Sequence, residues 1–173
     1  MKRTTGLGIA LFLITLILDY ATKVLSEAHL AEGPITIVPG WVWLRLAYNR
    51  GVAFSIMEGM PHWILGVGAL VLICVVVWSL RALATRPSGA AALGLLAAGG
   101  IANAIDRLHD GQVTDMISVW RWPVFNVADT AITIGVGLLF WASRKTKEAP
   151  EASHAASPGA IPAAADTELH REP

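Results

Sequence analysis

Apolar residues gather in four long blocks, Gly6–Leu25, Trp63–Leu80, Ser88–Ile105 and Val124–Ala142, and the segments between and around them hold most of the charge. Each block is near the roughly 17–25 residues that a helix needs to cross about 30 Å of hydrocarbon, so the pattern predicts four transmembrane helices. The first block follows Lys2 and Arg3 and is interrupted at Asp19, as in a cleaved signal peptide. Its apolar run resumes past Lys23 and no small-residue cleavage site follows, so it is expected to remain as a span. In the fourth block, Thr130–Ala142 alone would be about 20 Å long, too short for the hydrocarbon. Starting at Val124 makes it long enough and places Asn126 and Asp129 inside the outer leaflet.

Between the first two blocks the period changes. Ile35-Thr36-Ile37-Val38, a Pro39-Gly40 turn and Trp41 to Tyr48 read as two β-strands. Alternation along the second strand separates Trp41, Trp43, Arg45 and Ala47 from Val42, Leu44, Leu46 and Tyr48. Both faces carry large apolar groups, which suits a small sheet lying on lipid or covering a helix bundle. From Glu148 to Pro173 the chain is rich in Ala, Pro, Ser and Glu without apolar periodicity and is expected to be a disordered tail.

Composition agrees with a membrane protein. The 173 residues are 54% hydrophobic and 15% charged, with a mean hydropathy of +0.56, against about 25% charge in a typical soluble domain. Lys2, Arg3, Arg81, Arg86, Arg144, Lys145 and Lys147 flank one side of the four blocks in short segments, so both termini are expected to be cytoplasmic. The seven tryptophans fall near predicted helix ends or in the outer loops, as in an interfacial aromatic belt. The single cysteine, Cys74, excludes an intrachain disulfide and is expected to pack within the second span.

The polar residues in and beside the spans carry the chemistry, because carboxylates placed where a chain enters lipid are costly and point to function. Asp115 sits in Val113-Thr114-Asp115, and Asp129 ends Phe125-Asn126-Val127-Ala128-Asp129 and opens into the fourth block. Two carboxyls that meet across a fold can share a proton as acid and base, the chemistry of an aspartic protease. The plainer alternatives are a solvated loop acid for Asp115 and a helix N-cap for Asp129. Asp19 and Lys23 share a face of the first helix, either as a self-neutralising pair or as an organiser of the bundle. Asn103 and Asp106 share a face of the third, with Arg107 just beyond, after the small residues Gly99 and Gly100 that permit close helix approach. No His-Glu-x-x-His, Gly-x-Ser-x-Gly or phosphate-cradling loop is present, and nothing further supports a Ser55–Lys23 hydrolase pair.

Five blocks in order resemble the bacterial lipoprotein signal peptidase, or type II signal peptidase, family. They are Leu18-Asp19-Tyr20-Ala21-Thr22-Lys23, Asn49-Arg50-Gly51-Val52-Ala53-Phe54-Ser55, Asn103-Ala104-Ile105-Asp106-Arg107, Val113-Thr114-Asp115, and Phe125-Asn126-Val127-Ala128-Asp129. The resemblance spans roughly Thr5 to Ala142. It implies an all-α membrane protein of four transmembrane helices, with a small periplasmic β-sheet cradle, about residues 33–56, between helices 1 and 2. It also implies a peptidase domain over residues 1–147, followed by the tail 148–173. The implied activity is an aspartic endopeptidase that removes signal peptides from diacylglyceryl-modified prolipoproteins. Asp115 and Asp129 match the family's catalytic dyad. Asp19, Lys23, Asn49, Gly51, Asn103, Asp106, Arg107, Asn126 and Ala128 match residues that line or support its site. Ala102 departs from the family, which usually has glycine before the asparagine.

The expected enzyme needs no metal or organic cofactor, binds no nucleic acid, works as a monomer among membrane lipid, and faces the periplasm from the inner membrane. A non-enzymatic proton-coupled transporter is the contrasting reading. It would place acids nearer the bilayer midplane along a discontinuous polar helix, whereas here they cluster at one interface.

Overall fold

Helix α1, Lys2–His29, is built inside out. In the computed structural model, which describes residues 2–50, 63, 64, 67, 70, 71, 73, 74, 76, 78 and 84–147, its buried residues include Thr15, Asp19, Lys23 and Ser26. Leu7, Ile9, Leu13, Ile14, Ile17, Leu18, Val24 and Leu25 are exposed. A soluble helix does the reverse. Apolar side chains outside and paired polar ones inside are stable only when the surroundings are hydrocarbon.

Helix α2, Pro87–His109, starts with proline at its first position, where the missing N–H has no partner to lose. It runs past the predicted Ser88–Ile105 block by a full turn, which puts Asp106 and Arg107 on the helix. Glycines let its backbone meet its neighbours. A Cβ on Gly94 would collide with the Gly8 carbonyl of α1, one on Gly99 with the Ala128 carbonyl of the next helix, and one on Gly100 with the Ile73 side chain. Helix association in lipid relies on such small-residue contacts, since apolar side chains gain little by leaving lipid for each other.

Helix α3, Val127–Lys147, has 21 residues, about 32 Å at 1.5 Å per residue. It begins later than the predicted Val124, because Phe125 is held extended. Phe125 N–H donates to Ile117 O at 3.0 Å and Ile117 N–H to Phe125 O at 2.8 Å.

The sheet has three antiparallel strands in the order β1-β2-β3, with β1 Ile35–Val38, β2 Val42–Asn49 and β3 Val113–Val119. The β1–β2 turn is made by Gly40 at φ +78°. The third strand corrects the expectation of a sheet made only between helices 1 and 2. It comes from the α2–α3 connection, where Val113, Thr114, Ile117 and Val119 supply β-branched residues, and it carries Asp115. A bulge between Leu44 and Ala47 resets the β2–β3 register so that Ala47 pairs with Asp115 and Tyr48 with Thr114. At its far end Trp120 adopts φ +43°, uncommon for a bulky residue. A 2.7 Å bond from Trp120 N–H to Trp41 O and a ring contact at 5.9 Å hold it there.

The described residues of the predicted second span are helical. Cys74, expected to pack there, is exposed instead. The rest of that span, the stretch Gly51–Ser55, the far end of the cradle at residue 56 and the tail 148–173 lie outside the described residues.

Candidate active site

Asp115 on β3 and Asp129 in the first turn of α3 are linked through two asparagines. Asn126 Nδ2 donates to Asp115 Oδ1 at 2.8 Å and to Asn103 Oδ1 at 3.1 Å, and Asn103 Nδ2 donates to Asp129 Oδ1 at 2.8 Å. Asn126 also caps α3. Its Oδ1 accepts the Asp129 N–H at 2.8 Å, while Asp129 Oδ2 lies 3.4 Å from the Asn126 N–H. This is a capping box with the reciprocal acid at the third helical position. The N-cap is therefore Asn126 rather than Asp129, because the helix starts only at Val127.

The amide orientations follow from their partners. Asn103 Oδ1 receives two donors, Asn126 Nδ2 and Lys23 Nζ at 3.3 Å. Reversing the amide would turn its NH₂ toward both and lose the bond to Asp129. Lys23, 6% exposed, uses its remaining donors on Asp19 and Asp106, both at 2.6 Å. Asp106 is thus paired with Lys23. Arg107 interacts electrostatically with Asp129, Asp115 and Asp106.

Asp19, 2% exposed, accepts the Ala128 N–H with Oδ1 at 2.8 Å. A carboxylate from α1 thereby satisfies an N-terminal donor of α3. Asp115 is equally buried, at 2%. Burial, reinforced by the negative charge of Asp129, raises its carboxyl to about 7, against the opposing effects of an Asn49 hydrogen bond, the Lys23 charge and the Asn126 bond. Four carboxyls (Asp19, Asp106, Asp115, Asp129) face two cations (Lys23, Arg107), and a proton on Asp115 reduces that imbalance.

Of the residues singled out in the sequence, Asp19, Lys23, Asn49, Asn103, Asp106, Arg107, Asn126 and Ala128 all converge on these two aspartates, while Gly51 lies outside the described residues. An apolar groove of about 340 Å³ opens between α1 and the sheet, bounded by Leu25 of α1, Leu30 just past its end, Leu44, Met116 and Ile117 of the sheet, and Val127. The family model for signal peptidase (SPase) II matches residues 11–145. The chain belongs to the signal peptidase II family.

Relatives agree in extent. A lipoprotein signal peptidase of Paraburkholderia phymatum is 40% identical over 143 residues, covering 77% of this chain and 83% of the relative. One from Symbiobacterium thermophilum is 34% identical over 139 residues, covering 78% and 91%. In three dimensions the chain is similar to a bacterial membrane enzyme solved by the in meso method at 2.3 Å, with a TM-score of 0.71 and 25% identity over 87% of this chain and 95% of that one.

Two contacts of this signal peptidase II chain escaped the sequence reading. Buried Thr114 donates its hydroxyl to Glu27 Oε1 on α1 at 2.8 Å. Arg50 Nε donates to Gln112 Oε1 at 3.2 Å. The first was detectable, since Glu27 continues the four-residue spacing of Asp19 and Lys23. The second joins two loops and leaves no periodic signal.

Proposed function

We propose that this chain removes the signal peptide from diacylglyceryl-modified prolipoproteins, cleaving before the lipidated cysteine with Asp115 and Asp129 as its catalytic carboxyls. The observation that carries the residue assignment is the asparagine bridge, which holds a buried, proton-retaining carboxyl and an acceptor carboxylate at the two ends of one hydrogen-bonded chain.

The division of labour follows. Asp115 keeps its proton to about pH 7 and acts as the acid. Asp129, which receives the Asn103 donor, acts as the base. Asp129 takes a proton from a water as the water oxygen attacks the scissile carbonyl carbon, and Asp115 gives its proton to the carbonyl oxygen. When the tetrahedral intermediate collapses, Asp129 passes its proton to the departing amide nitrogen and Asp115 recovers one from the intermediate's hydroxyl. The pair ends as it began, one proton shared between two acids. Asn103 and Asn126 orient the carboxyls, Lys23 and Arg107 offset their charge, and Asp19 fixes the N-terminus of α3. Asn49 hydrogen-bonds Asp115, in keeping with the supporting role that the family resemblance gives to Asn49 and Gly51.

The same reading takes α1, the apolar block Trp63–Leu80, α2 and α3 as four spans, with both termini cytoplasmic and the dyad near the periplasmic face. Residues 1–147 form the peptidase domain. The apolar groove beside Val127 supports a lipid-bearing substrate, because acyl chains can stay in apolar surroundings while the peptide bond reaches the acids. All the site residues come from one chain, so a monomer suffices.

The test is cleavage of a diacylglyceryl-modified prolipoprotein peptide in detergent by wild type, Asp115→Asn and Asp129→Asn, with folding checked in each. Wild-type cleavage before the lipidated cysteine and loss of activity in both folded variants is expected. An inert wild type, or full activity in either variant, refutes the assignment.

A further inference from the structure

Asp19, Lys23 and Glu27 lie four residues apart and so form one edge of α1. Each reaches a different element of the site. Asp19 accepts the Ala128 N–H of α3, Lys23 holds Asn103 and Asp106 of α2, and Glu27 accepts the hydroxyl of Thr114 on β3 at 2.8 Å. The first two ties fix Asp129 and its asparagine partner against α1. The third fixes the residue next to Asp115.

Its mechanical sense comes from the sheet. The β2–β3 ladder sets where Asp115 sits within the sheet, and the Ile117–Phe125 pairing tethers β3 to the approach to α3. Neither ties the sheet to α1. The Thr114 carbonyl is only 3.4 Å from Asn126 Nδ2, a long contact for a hydrogen bond. The Glu27–Thr114 bond, 2.8 Å from a buried hydroxyl to the exposed Glu27 side chain, is the shorter tie and sets the height of β3 against the helix that positions Asp129.

We propose that Glu27 is a positioning residue for the cleavage reaction, holding β3 through the Thr114 hydroxyl so that Asp115 stays in register with Asp129; this rests on the reading of both aspartates as catalytic. Glu27 touches no reacting atom. Its loss lets the sheet shift against the bundle, and misplacement by about 1 Å costs about 100-fold in rate.

The experiment measures kcat and KM for a diacylglyceryl-modified prolipoprotein peptide with the full chain in detergent. It compares wild type, Glu27→Ala, Glu27→Gln, Thr114→Val, Thr114→Ser and the Glu27→Ala, Thr114→Val double variant, with the thermal midpoint of each. Glu27→Ala and Thr114→Val should each lower kcat by about 10- to 100-fold with KM changed less than about threefold. The double variant should be no worse than the poorer single, as expected for two ends of one bond. Glu27→Gln and Thr114→Ser keep an acceptor and a donor and should restore most of kcat. Thr114→Val is isosteric and tests the bond even if Glu27→Ala folds poorly. Wild-type kcat in both single variants, losses that multiply in the double, or Glu27→Gln as poor as Glu27→Ala would overturn the inference. An inert wild type refutes the functional reading and this inference with it, whereas a cleaving wild type with indifferent Glu27 variants refutes only the inference.

Discussion

Replacing Asp115 by asparagine should stabilise the protein while abolishing its activity. In the fold this carboxyl is 2% exposed and is raised from 3.8 to about 7, whereas in the unfolded chain it titrates near its ordinary value. Between those pH values the folded state binds more protons than the unfolded state, so Asp115 makes stability fall as pH rises from about 4 to about 7, and the loss is complete above 7. A gap of about three pH units is worth on the order of 4 kcal/mol. Asparagine has the same shape, cannot ionise, and can still accept from Asn126 Nδ2 through its side-chain oxygen.

Thermal unfolding in detergent at pH 5, 6, 7 and 8 reads the difference. At pH 5 the Asp115→Asn variant should already lead wild type by a few degrees, because more than a third of the loss is complete one pH unit above the unfolded value, and by pH 8 it should lead by roughly 10 °C, taking about 2–4 °C per kcal/mol for a chain of this size. Parallel curves across the range would show that Asp115 does not retain its proton in the fold, and the acid role assigned to it would fail. A variant less stable than wild type at pH 8 would refute the argument more directly.

The same proton predicts that kcat/KM for the lipidated peptide declines as pH rises through about 7, and a profile flat from pH 6 to 9 would contradict it. Lys23→Met leaves Asp19 and Asp106 without their shared cation and should destabilise by about 3–5 kcal/mol; a thermal midpoint within about 2 °C of wild type would count against that network. Gly99→Leu drives a side chain into the Ala128 carbonyl and should cost about 1–3 kcal/mol and displace Asp129, whereas Gly137→Ala, which meets nothing within 4 Å, should be neutral in a thermal scan.

What the sequence made legible follows from how each feature is encoded. Helices α1 and α2 were visible because a span must be continuously apolar. The buried Asp19 and Lys23 were visible because charge in such a run is rare. Strand β3 leaves little local signal because Val113–Val119 is a short run between turns, interrupted by an acid, and the partner that makes it a strand, β2, is more than sixty residues distant. The start of α3 was misplaced by three residues because Val124 and Phe125 are apolar enough for a helix, and only the pairing of Phe125 with Ile117 keeps them extended. The convergence of Asn126 on Asp115, Asn103 and the α3 N-terminus depends on three elements at once, which no local pattern carries.

That convergence explains why two costly acids are tolerated at the edge of lipid. Asn126 satisfies the helix end, the Asp115 carboxyl and the Asn103 amide oxygen with one side chain. Asp19 satisfies a second helix N–H from across the bundle, and Lys23 compensates the acids that hold the scaffold. Asn103 and Asn126 thus bond the two aspartates of the proposed dyad directly, while Asp19 and Lys23 reach them through Ala128 and Asn103. Asp115 has its cation partners on α1 and α2, while β3 brings it in from the sheet. Its carboxyl is raised because burial, with the negative charge of Asp129 beside it, outweighs the Lys23 charge and the amide bonds, and a protease that needs one proton between two acids at neutral pH uses that burial directly.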